Sequence, residues 1–259
     1  MTEIENAAQA RNVTVCMGKG AQRDAAEALA RRVGTVLSDN PGPELTLLID
    51  GSGVSLNGYG LSYRGDFTEM LPRLTEGRLA HEMLVHVSKP KSDPGTLRAV
   101  DATAGMGEDS ILLAAAGYQV TLYEQNPVIA ALLKDALRRA KKHPVLGPIV
   151  ARMTLIEGNS IALLPSLGFE PDLVYLDPMF PARQKSGLIN KKLQLIQKLE
   201  HPCVEEQELL DAAIGTGAQK IIIKRPLKGA NLAGRTPHYS VEGKAIRYDC
   251  LVFPKQTLN

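Results

Sequence analysis

The chain has 259 residues, 44% of them hydrophobic, and a formal net charge of +2. Its size and apolar content suit one large domain or one and a half. Cys16, Cys203 and Cys250 lack any CxxC or Cys/His metal spacing, and the five histidines form no ligand pattern, which argues against a metal site and for structural thiols in a reducing compartment. No apolar run approaches the roughly 20 residues of a membrane span. The acidic start, Met1-Thr2-Glu3-Ile4-Glu5, is unlike a signal peptide, so the expectation is a soluble, cytoplasmic protein without a membrane partner.

In chain order, Val13 to Cys16 reads as a short strand, and Arg23 to Leu37 has helical apolar spacing at Ala26, Leu29, Ala30, Val33 and Leu37. Leu45 to Ile49 and Val54 to Leu56 flank Asp50-Gly51-Ser52-Gly53, a hairpin signal. Arg78 to Val87 reads as one helix. The composition of Ser88 to Gly95 is that of a linker, which places a boundary between a small N-terminal α/β unit, residues 1–93, and a second domain, residues 94–259. From Leu97 strands and helices alternate, as in a parallel sheet covered on both faces. Strands are predicted at 97–101, 119–124, 152–157, 172–177 and 219–224, and helices at 108–116, 127–142 and 205–216. Tyr239 to Val241 and Ala245 to Phe253 read as a closing hairpin.

Basic residues cluster in the second half. Arg183, Lys185, Lys191, Lys192 and Lys198 lie in a stretch without acids, and from Lys220 to Arg247 seven basic residues face one acid, Glu242. Such clusters are solvated faces or sites for an anionic partner such as RNA. Lys224-Arg225-Pro226 ends a strand on the edge where a site should lie, and reads equally as a phosphate contact or a solvated strand end.

Two motifs carry chemistry. Asp101-Ala102-Thr103-Ala104-Gly105-Met106-Gly107 follows one strand and opens a helix; Gly105 and Gly107 permit a sharp turn and close approach to a ligand. The third glycine of a dinucleotide fingerprint is replaced by Ser110, and the acid at the second strand's end is Glu124, placed to reach ribose hydroxyls. An NAD enzyme would share that acid. Asp109 either stabilises the helix start or meets a ligand, and Asn159, beside Ser160, either caps a helix or meets an adenine ring. The second motif is Asp177-Pro178-Met179-Phe180-Pro181, behind the apolar strand Leu173 to Leu176. Asp177 and the Pro178 carbonyl can accept both N–H bonds of an exocyclic nucleobase amine, and Phe180 can stack on the base. Together the motifs imply a methyl donor at the first site and an amine at the second.

These strings resemble a Rossmann-like, class I S-adenosylmethionine-dependent methyltransferase. Asp177 to Phe180 is similar to the (Asp/Asn/Ser)-Pro-Pro-(Tyr/Phe) signature of amino-group methyltransferases, with Met179 in place of the second proline. Val100 to Val252 resembles the RsmJ-type 16S ribosomal RNA guanine-N2 methyltransferases, through Val100 to Gly105, Asn126-Pro127-Val128, Tyr175 to Pro181, Gln184-Lys185-Ser186 and Lys224-Arg225-Pro226. The resemblance implies a mostly parallel seven-stranded sheet with an antiparallel last strand. It also implies S-adenosylmethionine as donor, no metal, and donor contacts at Glu108, Asp109, Glu124, Gln125, Asn159, Ser160 and Asp177. Glu108, Gln125 and Asn159 depart from residues common in the family. The implied partner is 16S rRNA or the small ribosomal subunit. Rival readings are an adenine-N6 nucleic-acid methyltransferase, an NAD-dependent oxidoreductase, and a non-catalytic RNA-binding assembly factor.

Overall fold

The computed structural model describes residues 13–42, 44–90, 95–179, 194–196, 198–199 and 203–253. The linker core at 91–94 lies outside them, as do Phe180, Arg183, Lys185, Lys191 and Lys192.

The first sheet comprises β1 (Val13–Met17), β2 (Leu37–Ser38), β3 (Leu45–Asp50), β4 (Gly53–Gly58) and β5 (Leu61–Tyr63), in the order β2-β1-β3-β4-β5. β1 pairs in parallel with β2 and β3, and the β3–β4 hairpin is antiparallel, as its turn residues dictate. Helix α1 (Arg23–Val33) is shorter than its apolar spacing suggested. Gly34 closes it in a left-handed conformation at φ 78°, and Leu37 is released to pair with Val15 as an edge strand. A short helical turn, Phe67–Met70, leads into α2 (Leu71–Leu74). The single helix expected from Arg78 to Val87 is two, α3 (Glu76–Leu79) and α4 (Met83–Ser88). Between them Glu82 is extended, and its carboxylate accepts from Arg73 Nε at 2.7 Å and Nη2 at 2.8 Å.

The second sheet holds seven strands: β6 (Arg98–Asp101), β7 (Gln119–Glu124), β8 (Met153–Glu157), β9 (Leu173–Leu176), β10 (Lys220–Pro226), β11 (Tyr239–Glu242) and β12 (Ile246–Val252). Their order is β11-β12-β10-β9-β6-β7-β8; β6 to β10 run parallel, while β12 is antiparallel to both β10 and β11. This is the mostly parallel sheet the alternation predicted, and the closing hairpin supplies its antiparallel end. Strand residues such as Val100, Val174, Leu176, Ile221 and Ile222 are fully buried, as expected for strands covered on both faces.

Helices α5 (Glu108–Ala115), α6 (Pro127–Ala140) and α9 (Glu206–Gly215) follow β6, β7 and the 203–205 segment, with short α7 (Leu146–Val150) and α8 (Ser160–Leu163) between. α6 starts as its sequence requires: Pro127 occupies the first turn, and Asn126 Oδ1 accepts from the Val128 and Ile129 amides at 3.0 and 3.3 Å. It is buried on both sides. Leu133, Ala136, Leu137 and Ala140 join the core beneath the seven-stranded sheet, while Val128, Ile129, Ala131 and Leu132 join the core of the five-stranded sheet. Asp135 ties the layers polarly, accepting from the Val54 amide at 3.1 Å and pairing with Arg138 and Arg139. Phe67, Met70, Leu74, Leu84, Val85 and Val87 pack into the core of the seven-stranded sheet. No described helix is long and apolar enough to cross a membrane.

Candidate active site

The register of the parallel strands places the motifs side by side. Asp101 lies opposite both Leu122 on β7 and Tyr175 on β9, and Leu176 lies opposite Ile223 on β10. One residue further on, Asp177 and Lys224 therefore meet at the carboxyl edge, where open α/β sheets bind ligands. A cleft of ≈ 1600 Å³ opens there, with Gly105, Glu108, Asp109, Asp177, Pro178 and Lys224 in its wall. Glu124, Gln125, Asn159 and Ser160 stand at the ends of β7 and β8 on the same edge, outside the lining of this cleft.

The glycine turn is a built feature. Gly107, at φ 77°, is the cap residue of α5, and a Cβ there would lie 2.9 Å from Leu133 Cδ1. Gly105, at φ 53°, has nothing within 4 Å of a notional Cβ, so its backbone borders open space. Glu124 fastens this turn: its Oε2 accepts from the Gly105 amide at 2.9 Å, and its Oε1 accepts from the Asn126 amide at 2.7 Å. The carboxylate is thereby held rigid at the strand end, with lone pairs suited to vicinal hydroxyls. An open backbone turn followed by a fixed acid fits the methionine and ribose parts of a nucleoside donor. Glu108 is exposed and Asp109 half-buried in the first turn of α5. Gln125 is exposed, Ser160 is buried, and Asn159 caps α8 by accepting from the Ile161 amide at 2.9 Å.

Five polar residues from three strands or their ends and from α5 form one network. Lys224 Nζ lies 2.7 Å from Asp109 Oδ2 and 2.9 Å from Asp177 Oδ2. The Tyr175 hydroxyl donates to Asp109 Oδ2 at 2.6 Å, and the Asp177 amide donates to the Thr103 hydroxyl at 2.7 Å. Burial pushes the Asp177 carboxyl above the usual carboxylate range, against the opposing pull of the Lys224 ammonium. Desolvation works to lower the pKa of Lys224, yet Asp109 and Asp177 outweigh it and hold the amine charged. Beneath them Asp101, 1% exposed, receives the Ser110 hydroxyl at 2.5 Å and the Thr103 amide at 3.1 Å. Burial raises its carboxyl to about 7 despite those two donors. Asp101 thus braces the turn from below.

The two basic residues read as phosphate contacts take other places. Lys224 points at the carboxylates of the cleft, and Arg225 is buried, donating to the Ala230 carbonyl at 2.7 Å and pairing with Glu206 at 3.3 Å. Three contributors escaped the sequence reading. Thr103 stands inside the glycine motif but was passed over, and Tyr175 was counted as strand core. Arg73 reaches the cleft from a segment assigned to the N-terminal unit. A hydroxyl in an otherwise apolar strand was the available signal for Tyr175.

Fold, turn and acid together match the class I S-adenosylmethionine-dependent methyltransferase architecture. A protein family described as "Putative SAM-dependent methyltransferase" matches residues 62–253. A protein from Pseudomonas paraeruginosa named ribosomal RNA small subunit methyltransferase J is 45% identical over 163 residues, covering 62% of each chain, less than two thirds of that relative's length. One of the same name from Pseudomonas syringae pv. syringae is 36% identical, covering 98% of this chain and 96% of the relative. The crystal structure of a SAM-dependent methyltransferase from Neisseria gonorrhoeae superposes with a TM-score of 0.73 at 31% identity, over 92% of this chain and 95% of that one. The chain belongs to this family of S-adenosylmethionine-dependent methyltransferases, together with proteins named ribosomal RNA small subunit methyltransferase J.

Proposed function

We propose that the protein methylates the exocyclic N2 amine of a guanine in 16S rRNA, acting on the rRNA or the small subunit in the cytoplasm. The observation that carries this reading is the Asp177-Pro178 turn, set beside the glycine turn at the carboxyl edge of the sheet. The names of the full-length relatives support an rRNA substrate.

When bound, S-adenosylmethionine supplies an electrophilic methyl group and leaves as S-adenosylhomocysteine. Asp101, Gly105, Gly107, Glu108, Asp109, Glu124, Gln125, Asn159, Ser160 and Asp177 would hold it. A guanine amine is a weak nucleophile because its lone pair is delocalised into the ring. Asp177 and the Pro178 carbonyl accept its two N–H bonds, turn the lone pair toward the methyl and stabilise the positive charge that develops; the methyl's bond to sulfur breaks as its bond to nitrogen forms, and one N–H proton then leaves through Asp177 to water. The Asp109–Lys224–Asp177 cluster holds two carboxylates against one ammonium, and its net negative charge favours that cation. Phe180 stacks on the base, which is unstacked or flipped to reach the cleft. Residues 1–93, with Arg183, Lys185, Lys191 and Lys192, hold the RNA, while residues 94–259 carry donor binding and chemistry. Asp177→Ala should lower turnover by about 10²–10³-fold, the range for losing one preorganised polar group, with donor affinity by calorimetry changed far less. Undiminished methylation by that variant would remove Asp177 from the reaction.

A further inference from the structure

Lys224 sits where a phosphate contact was expected, yet its ammonium is shared between two acids. Nζ is 2.7 Å from Asp109 Oδ2 and 2.9 Å from Asp177 Oδ2, and its side chain is 25% exposed. An ammonium so engaged would have to leave both carboxylates to reach a phosphate, stranding two negative groups in a partly desolvated cleft. The geometry also fixes Asp177 from two sides. Thr103 Oγ1 accepts from the Asp177 amide at 2.7 Å, which anchors its backbone, and Lys224 takes Oδ2. Tyr175 anchors the far end by donating to Asp109 at 2.6 Å. The chain Tyr175–Asp109–Lys224–Asp177 thus runs from β9 through α5 and β10 back to the end of β9.

We propose that Lys224 is a positioning residue for methyl transfer, whose ammonium holds Asp177 ionised and oriented through Oδ2, so that Oδ1 is the oxygen that receives the amine. The proposal rests on the reading of Asp177 as the amine acceptor. Asp177 faces Asp109 from α5, Asp101 from β6, Tyr175 from β9, Lys224 and Arg225 from β10, and Tyr248 from β12. Lys224 makes an ion pair with it, while Arg225 pairs with Glu206. Burial and the nearby acids favour its protonated form, and Lys224 opposes them. A protonated Asp177 would present one acceptor fewer to the amine. Activity should therefore fall as the pH drops through the pKa of Asp177. Without Lys224 that acid limb moves to higher pH.

The test is a pH–rate profile of methyl transfer to small-subunit rRNA for the wild type, Lys224→Met and Lys224→Arg. It is paired with carboxyl-¹³C NMR titration of Asp177 in the free protein, the resonance being assigned with Asp177→Asn. Lys224→Met should raise the Asp177 midpoint and the acid limb together by about 1–3 pH units, the usual effect of losing an adjacent opposite charge. Lys224→Arg should leave both near the wild-type position while lowering turnover through altered geometry. Lys224→Gln, a donor without charge, serves the same comparison if the methionine variant does not fold. An unmoved midpoint and an unmoved limb in the neutral variants would overturn the proposal. Full turnover by Asp177→Asn would instead sink the reading of Asp177 itself, independently of any Lys224 result.

Discussion

Lys224 and Arg225 are neighbours on β10, and the contrast between them is the most instructive feature of the molecule. Successive side chains on a strand point to opposite faces. Lys224 turns into the cleft and meets Asp109 and Asp177. Arg225, also in the wall of the cleft but buried, joins Arg247, its cross-strand partner on β12, in supporting the loop that follows β10. Arg247 donates to the carbonyls of Pro226, Leu227 and Gly229 at 3.1, 2.9 and 2.9 Å, and holds Asp249 through two nitrogens at 2.8 and 3.0 Å. Arg225 adds the Ala230 carbonyl. One network gathers two carboxylates around one ammonium; the other satisfies backbone carbonyls of the loop after β10. Both read as basic sequence, and it is Lys224 that forms the ion pairs with Asp109 and Asp177.

The largest effect should come from the buried network. Arg247→Met strands the Asp249 carboxylate and several carbonyls, and should cost about 3–5 kcal/mol of stability, the range for breaking a buried ion pair. Its acid limb in the pH–rate profile should stay at the wild-type position. Denaturant unfolding and the rate profile together check this, and a shifted limb would mean that the two networks communicate. Next comes Asp101, on β6 at the other side of β9. Its folded carboxyl is raised to about 7 by burial, whereas the unfolded one titrates near the ordinary 3.8. The folded state therefore holds this proton more tightly, and the stability so contributed is present below pH 4 and lost as pH rises through 7. Asp101→Asn should remove that loss, gaining on the order of a few kcal/mol on the wild type between pH 4 and 8. Parallel stability curves for the two proteins would contradict it. The smallest effect belongs to Tyr175→Phe, which removes one donor to Asp109 and should cost about 1 kcal/mol. Unfolding midpoints are the readout, and no measurable change would show that the Tyr175 hydroxyl adds nothing to the network.

Much of this was legible in the residues. Strand β7 falls where alternation and flanking turns put it, and Asn126-Pro127 announced the start of α6. The glycine turn and Glu124 carry their own backbone logic, which the Gly105 amide bond to Glu124 makes concrete. The directions of Lys224 and Arg225 were not legible, because period-two alternation says that neighbours diverge but not which one faces the cleft. That depends on the register of β10 against β9 and β12, a long-range property. The break between α3 and α4 was hidden for a similar reason. Glu82 leaves the helix to bind Arg73, a partner nine residues away that no local propensity names.

The reaction proposed at Asp177 has a direct chemical readout. Incubating the protein with small-subunit rRNA, or with the assembled subunit, and methyl-labelled S-adenosylmethionine, then digesting the RNA and identifying the labelled nucleoside, tests it most directly. Label should appear in N2-methylguanosine, and about 10²–10³-fold more slowly with Asp177→Ala. Label on adenine, or none with either substrate despite donor binding, would contradict it.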